Sequence, residues 1–172
     1  MSIAVKTILA SIIPFFILIA SNCEKYSLDP ILISSQVRAE SSFDPRAVSR
    51  VGARGLMQIM PSTAEWLGFE GDEELLFLPE VNVRLGCYYD RWLFRYWRKR
   101  GYGDGVLEAL AMASYNAGPS RVKKSMTKLE WEFEKLPKET RQYVKRILRC
   151  RAEYLWAVIQ RRKLNDIHSR GE

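Results

Sequence analysis

Apolar residues recur along this chain at helical spacing, and no segment alternates as a strand does. Ile33, Val37 and Glu40 stand at i, i+4 and i+7 on one helix face. That helix is expected to open at an Asp29 cap with Pro30 in its first position, and to end near Ser42, ahead of Asp44-Pro45. Ser62 and Glu65 have the spacing of a capping box, opening a short helix that Gly68 stops. Pro79-Glu80 starts a longer helix, with Val81, Leu85, Tyr88, Tyr89, Trp92 and Tyr96 along one broad face. Asp104 is placed to cap a helix that reaches Ala117 and ends at Gly118-Pro119. A last helix follows Leu136-Pro137, from about Lys138 to Arg162. The fold class is therefore mostly α.

With 172 residues, 47% of them hydrophobic, the chain suits one domain with a substantial core. Residues 1–22 are set apart: after Lys6 and Thr7 comes an apolar run from Ile8 to Ala20, then Ser21, Asn22 and Cys23. This is the pattern of a signal peptide or an N-terminal anchor, and it is short for a membrane span. The folded domain is expected over residues 23–165, with a polar tail at 166–172. Cys23 raises lipid attachment as an alternative to ordinary cleavage. Export would permit a disulfide, and Cys87 with Cys150 is the pair that would remain.

The formal net charge is +7, and Lys6 is the only charged residue before Cys23, so nearly all of it belongs to the domain. Such a charge attracts polyanions. An export signal argues against nucleic acid and for bacterial cell wall, whose peptide stems carry carboxylates. The C-terminal cations Lys145, Arg146, Arg149, Arg151, Arg161, Arg162 and Lys163 read as a solvated helix face.

Glu40 is the strongest candidate for chemistry. A carboxyl at the end of an apolar stripe is desolvated, which disfavours its charged form and suits it to act as a general acid near neutral pH. Acid–base chemistry on carboxyl groups often pairs two of them. Asp44, Glu80 and Glu139 are the other acids weighed, and each has a structural explanation as a turn former or a helix-opening charge. The single histidine, His168, excludes a histidine-rich metal site and leaves no candidate for a Ser-His-Asp triad within the domain. No metal and no cofactor is expected.

Several segments in order carry a resemblance. Glu40-Ser41 to Pro45, Ala47-Val48-Ser49 and the loop Gly52 to Pro61, followed by Ser62-Thr63-Ala64, resemble the catalytic domain of the soluble-type lytic transglycosylases. Ala113-Ser114-Tyr115-Asn116-Ala117-Gly118 resembles that family's tyrosine-asparagine-alanine-glycine motif, and Glu139-Thr140-Arg141-Gln142-Tyr143-Val144 its last motif. The resemblance covers about residues 25 to 150 and implies a lysozyme-like single catalytic domain.

It also implies an activity: cleavage of the β-1,4 bond between N-acetylmuramic acid and N-acetylglucosamine in peptidoglycan, closing a 1,6-anhydro ring. Glu40 would be the catalytic residue. Ser49, Gln58, Met60, Tyr115, Asn116 and Tyr143 would bind substrate or orient its surroundings. A muramidase that uses water and a non-catalytic wall-binding assembly factor remain as alternatives. The expected partner is the glycan strand, with envelope-spanning secretion, conjugation or phage machinery as further candidates. The expected location is the periplasm or cell envelope, with membrane contact through the N-terminus.

Overall fold

The computed structural model describes the backbone of residues 3–126 and 131–168, and side chains over 15–126 and 131–161. The side chains of the first part of the apolar run, of Arg162 and Lys163, and of the polar tail lie outside these residues. Among the described residues there are seven α-helices: α1 (Ile3–Tyr26), α2 (Pro30–Ser41), α3 (Pro61–Trp66), α4 (Pro79–Arg98), α5 (Asp104–Ala117), α6 (Pro119–Lys123) and α7 (Lys138–His168). Short 3₁₀ turns cover Glu73–Phe77 and Phe133–Lys135. The loop between α2 and α3 folds on itself through isolated bridges, Val48 with Arg54 and Arg54 with Ile59.

Local chemistry explains most of these boundaries. Asp29 Oδ1 accepts from the Ile31 amide at 2.8 Å, and Pro30 occupies the first turn, as expected for α2. Its other end is closed by Ser42 in the left-handed region, φ 54°, with its amide donating to the Arg38 carbonyl. The α3 cap differs from expectation. Met60 is the cap residue and makes no side-chain hydrogen bond, because Pro61 already starts the helix and leaves Ser62 inside it. Asp104 likewise lies inside α5, whose cap is Gly103; it contributes its charge to the first turn and pairs with Arg98 at 3.3 Å.

Two apolar clusters make the core. One gathers Ile19, Ile33, Val37, Leu56, Met57 and Val83; the other gathers Leu32, Leu93, Trp97, Leu110, Val144 and Ile147. Helix α2 runs along the seam, giving Ile33 and Val37 to one side and Leu32 to the other, and Tyr115 packs against both. The α4 face corrects the sequence reading. Of the expected face Leu85 is buried, Val81, Tyr89, Trp92 and Tyr96 are partly covered and Tyr88 is exposed, while the buried stripe runs through Val83, Gly86, Asp90, Leu93 and Trp97. Aromatic content pointed to one face, but of the α4 aromatics Trp97 alone is fully buried, in line with Gly86, Asp90 and Leu93.

The first core cluster reaches back into α1. Ile19 and Cys23 are buried, with Phe15 and Leu18 packed against them, so a boundary between 22 and 23 cuts through a packed segment. This also changes the cysteine pairing. All three cysteines are free and buried. Cys87 on α4 lies within hydrogen-bond reach of Cys23 on α1, and that bond together with burial pushes the Cys87 thiol up. Cys150 sits instead beside Arg38 and Glu153. The expected bond between Cys87 and Cys150 is not formed, because α1 occupies the place beside α4.

Candidate active site

Glu40 lies in the last turn of α2, one turn beyond the buried Val37. Its side chain is partly buried, and Oε1 accepts a hydrogen bond from the Tyr143 hydroxyl of α7 at 2.5 Å. Burial raises the Glu40 pKa from 4.5 to about 7, while the Tyr143 hydrogen bond and the charge of Arg146 act in the opposite direction. The carboxyl is therefore poised between its acid and base forms near neutral pH. Tyr143 is itself buried, which pushes its phenol well up, so it stays protonated and remains a donor.

Beside Glu40 stands the glycine loop, anchored on three sides. Ser41 Oγ donates to the Leu56 carbonyl at 2.8 Å, and Tyr115 Oη donates to the Met57 carbonyl at 2.8 Å. Asn82 of α4 is fully buried and uses its whole amide: Oδ1 accepts from the Met57 amide at 2.7 Å, and Nδ2 donates to the carbonyls of Arg54 and Leu76 at 2.8 and 2.7 Å. Gly55 fits this approach only as glycine. Its φ is +75°, and a Cβ there would stand 2.5 Å from both Asn82 Nδ2 and the Leu76 carbonyl oxygen. Such anchoring fixes the loop next to Glu40 without help from a ligand.

The other residues singled out in the sequence fall into distinct positions. Ser49 accepts from the amides of Val51 and Ala53 at 3.3 and 3.0 Å, so it shapes the loop's turn. Gln58, at φ 48°, donates through Nε2 to the carbonyls of Ala47 and Gly55 at 3.1 and 2.9 Å. Its amide hydrogens are thus engaged by backbone, leaving the side-chain carbonyl as its free polar group. Met60 is partly exposed where the loop enters α3. Asn116 is exposed and accepts from Thr140 Oγ1 at 2.9 Å, tying the end of α5 to the start of α7. Asp44 caps its own turn, accepting from the Arg46 amide at 2.8 Å, while Glu80 and Glu139 are exposed first-turn acids.

Asp90 is the residue that sequence reasoning missed. It has no exposed surface, and burial pushes its pKa well up, aided by the nearby Glu40 charge and opposed by a hydrogen bond from Gln36. Gln36 Nε2 donates to Asp90 Oδ1 at 3.4 Å, and Gln36 is one turn before Glu40 on α2. The pair's other two polar atoms, Gln36 Oε1 and Asp90 Oδ2, have no partner when the acid is ionised. A protonated Asp90 carries a hydrogen suited to that Gln36 oxygen, completing an acid–amide pair. The signal was present in the sequence: Val83, Gly86, Asp90, Leu93 and Trp97 follow helical spacing.

Residues 17–135 match the family model described as the Transglycosylase SLT domain, most of the chain. The chain belongs to that family. It is 35% identical over 131 residues to the soluble lytic murein transglycosylase of Salmonella typhimurium, covering 68% of this chain and 19% of that protein. A transglycosylase of Enterobacteria phage PRD1 is 43% identical over 112 residues, 55% of this chain and 42% of the phage protein. The structure of an inactive glutamate-to-glutamine mutant of the lytic transglycosylase Slt from Pseudomonas aeruginosa superposes with a TM-score of 0.65 at 32% identity, covering 86% of this chain and 24% of that one. The chain thus spans about a fifth of the Salmonella relative's length, and its lysozyme-like helical fold is that of the SLT domain. The matched segment ends before α7, the helix that brings Tyr143 to Glu40.

Proposed function

We propose that this SLT-family domain is a peptidoglycan lytic transglycosylase with Glu40 as its single acid and base. The observation that carries the reading is one partly buried carboxyl, with a pKa of about 7, held by Tyr143 beside an anchored loop. In this reading protonated Glu40 gives its proton to the oxygen linking N-acetylmuramic acid to N-acetylglucosamine. The carboxylate left behind takes the proton from the muramic acid C6 hydroxyl. That oxygen attacks the anomeric carbon and closes a 1,6-anhydro ring. The nucleophile belongs to the substrate, so the step gains from proximity and needs no activated water. The Tyr143 hydrogen bond stabilises the carboxylate that forms midway. An inactive glutamate-to-glutamine mutant of the Pseudomonas relative supports a glutamate at the centre of such a domain.

A muramidase would need a second carboxylate facing the cleft. Asp90 is the acid that feels Glu40, and it is sealed from solvent, which favours transfer within the substrate over hydrolysis. We also propose export to the cell envelope, supported by the apolar run from Ile8 to Ala20. The glycan strand is then the partner, and local wall opening for a secretion, conjugation or phage machine is a fitting task. The test is clearing of purified sacculi by wild type and Glu40→Gln. Clearing by wild type alone supports the assignment, equal clearing removes Glu40 from it, and clearing by neither favours a wall-binding protein.

A further inference from the structure

Helix α7 carries an apolar face that the domain leaves uncovered. Tyr143, Ile147, Tyr154 and Ala157 are buried and turn toward the fold. On the opposite side Leu148, Leu155, Trp156, Val158 and Ile159 are exposed, Trp156 by 53% and Ile159 by 49%. Apolar residues scattered singly over a surface are ordinary, but a contiguous group of this kind marks an interaction surface. At helical spacing these five and the exposed Ala152 cover an arc of about 160°, with Val158 at one edge and Trp156 at the other. A helix that pairs with another helix shows a narrower seam, about two positions in seven. The breadth of the arc suits a deformable apolar medium better than one fitted helix.

The margins of the face are basic. Lys145 and Arg149 are exposed at its start, and Arg161, Arg162 and Lys163 follow its end in the sequence. Between Lys145 and Arg161 the only acid is Glu153, and Arg38 holds it at 2.8 Å. Among the described residues Lys145, Arg149 and Arg161 enter no ion pair, although Arg38, Arg54, Arg98, Arg141 and Arg151 all do. A second copy laid on this face would bring like charges together on chains of net charge +7 each, whereas an anionic layer is attracted to it. The face also lies near the N-terminal apolar run. Tyr154 of α7 shares a core cluster with Ile19 and Cys23 of α1, the helix to which the run from Ile8 to Ala20 belongs. No helix of the described residues is long and apolar enough to cross a membrane. A helix with Trp, Leu and Ile on one face and Lys and Arg beside them is instead suited to lie in the headgroup layer, where indole rings are favoured.

We propose that residues 148–159 of α7 form a lipid-docking face that rests on an anionic membrane surface, with Trp156 and Ile159 inserted among the headgroups and Lys145 and Arg149 meeting lipid phosphates. The N-terminal run and this face then make two attachments on one domain, and two together hold where one short apolar element binds only marginally. Tyr143 lies on the buried side of the same helix, so the Glu40 site stays open while the face is covered. The docking is independent of the reaction at Glu40. It belongs to a helix beyond the matched family segment, which ends at residue 135. Salt weakens the attachment, because its cations are at the surface, and leaves the apolar part in place.

The experiment measures flotation of the full chain with vesicles of mixed phosphatidylcholine and phosphatidylglycerol, and with vesicles of phosphatidylcholine alone. Wild type is compared with Leu155→Ser/Trp156→Ser/Ile159→Ser and with Lys145→Gln/Arg149→Gln, all with the same N-terminal run. Thermal unfolding verifies that each variant is folded. The expected result is that wild type partitions about tenfold more strongly onto the anionic vesicles, that the serine variant loses about tenfold of this, and that the glutamine variant loses most of the preference for anionic lipid. Brominated acyl chains should quench tryptophan fluorescence in wild type, and that quenching should vanish in Trp156→Phe, which still binds. Unchanged partitioning of the serine variant overturns the proposal and leaves the N-terminal run as the attachment. Failure of wild type to bind either vesicle, equal binding to both, or quenching that persists in Trp156→Phe also overturns it. A wild-type dimer in sedimentation equilibrium that the serine variant loses, without lipid binding, overturns it and assigns the face to a second copy. Clearing of sacculi is read separately, so loss of either reading leaves the other standing.

Discussion

Replacing Glu40 by glutamine should stabilise this protein while abolishing its activity, and the gain should depend on pH. Glu40 is raised from 4.5 to about 7 in the folded protein, mainly by burial. A carboxyl with a raised folded pKa favours the fold below its unfolded pKa, and that contribution is lost as pH rises through the folded value. At about 1.36 kcal/mol per pH unit the full cost of ionising it in place approaches about 3 kcal/mol. Because the side chain keeps some exposure, about 1–3 kcal/mol is the realistic range. Glutamine carries no charge and can still accept the Tyr143 hydrogen bond. For a chain of this length the gain corresponds to roughly 2–12 °C in melting temperature. The assay is thermal or urea unfolding of wild type and Glu40→Gln at pH 4.5 and pH 8. The two should match at the lower pH and diverge at the higher one. A difference that is the same at both values would refute the reasoning, since it would arise from packing and not from ionisation.

Three further outcomes follow from the same geometry. Tyr143→Phe keeps the buried ring but removes the donor to Glu40, so the alkaline limb of kcat/KM should move up by about one pH unit and kcat should fall; a limb that stays in place would show that Tyr143 does not tune Glu40. Asp90→Asn should flatten the loss of stability that wild type shows as pH rises, because the amide can satisfy Gln36 without ionising, whereas Asp90→Leu should be destabilised at acid pH; identical pH dependence in wild type and Asp90→Asn, read by urea unfolding, would contradict a neutral Asp90. Gly55→Ala should cost about 2–4 kcal/mol in the same assay, since its Cβ would press on the Leu76 carbonyl at a positive φ, and a cost below that of an ordinary surface change would mean the loop can shift away.

Much of the scaffold was legible in the sequence because its signals are local. The Asp29 cap with Pro30, the stop at Gly68 and the break at Gly118-Pro119 are set by neighbouring residues, and α2 begins, and α3 and α5 end, where those signals stand. Glu40 was legible because Ile33 and Val37 mark its helix face. What could not be read was set by contacts distant in sequence. Cys23 and Cys87 are brought together only because α1 packs on α4. Gln58 turns its amide hydrogens into its own loop, which a motif cannot reveal. The buried stripe of α4 was concealed by its aromatic neighbours, whose size suggested core while their position leaves Tyr89, Trp92 and Tyr96 only partly covered at its margin and Tyr88 exposed. Asp90 was hidden in the same way, as an apparently ordinary helical acid between Tyr89 and Arg91.

The central claim is that Glu40 passes a proton to the leaving sugar and retrieves one from the same substrate, with no water consumed. The most direct measurement is mass spectrometry of the muropeptides released from purified sacculi. The account predicts products ending in 1,6-anhydro-muramic acid, one water lighter than hydrolysed ends, with none released by Glu40→Gln. Products with free reducing ends would contradict it and require a group that activates water.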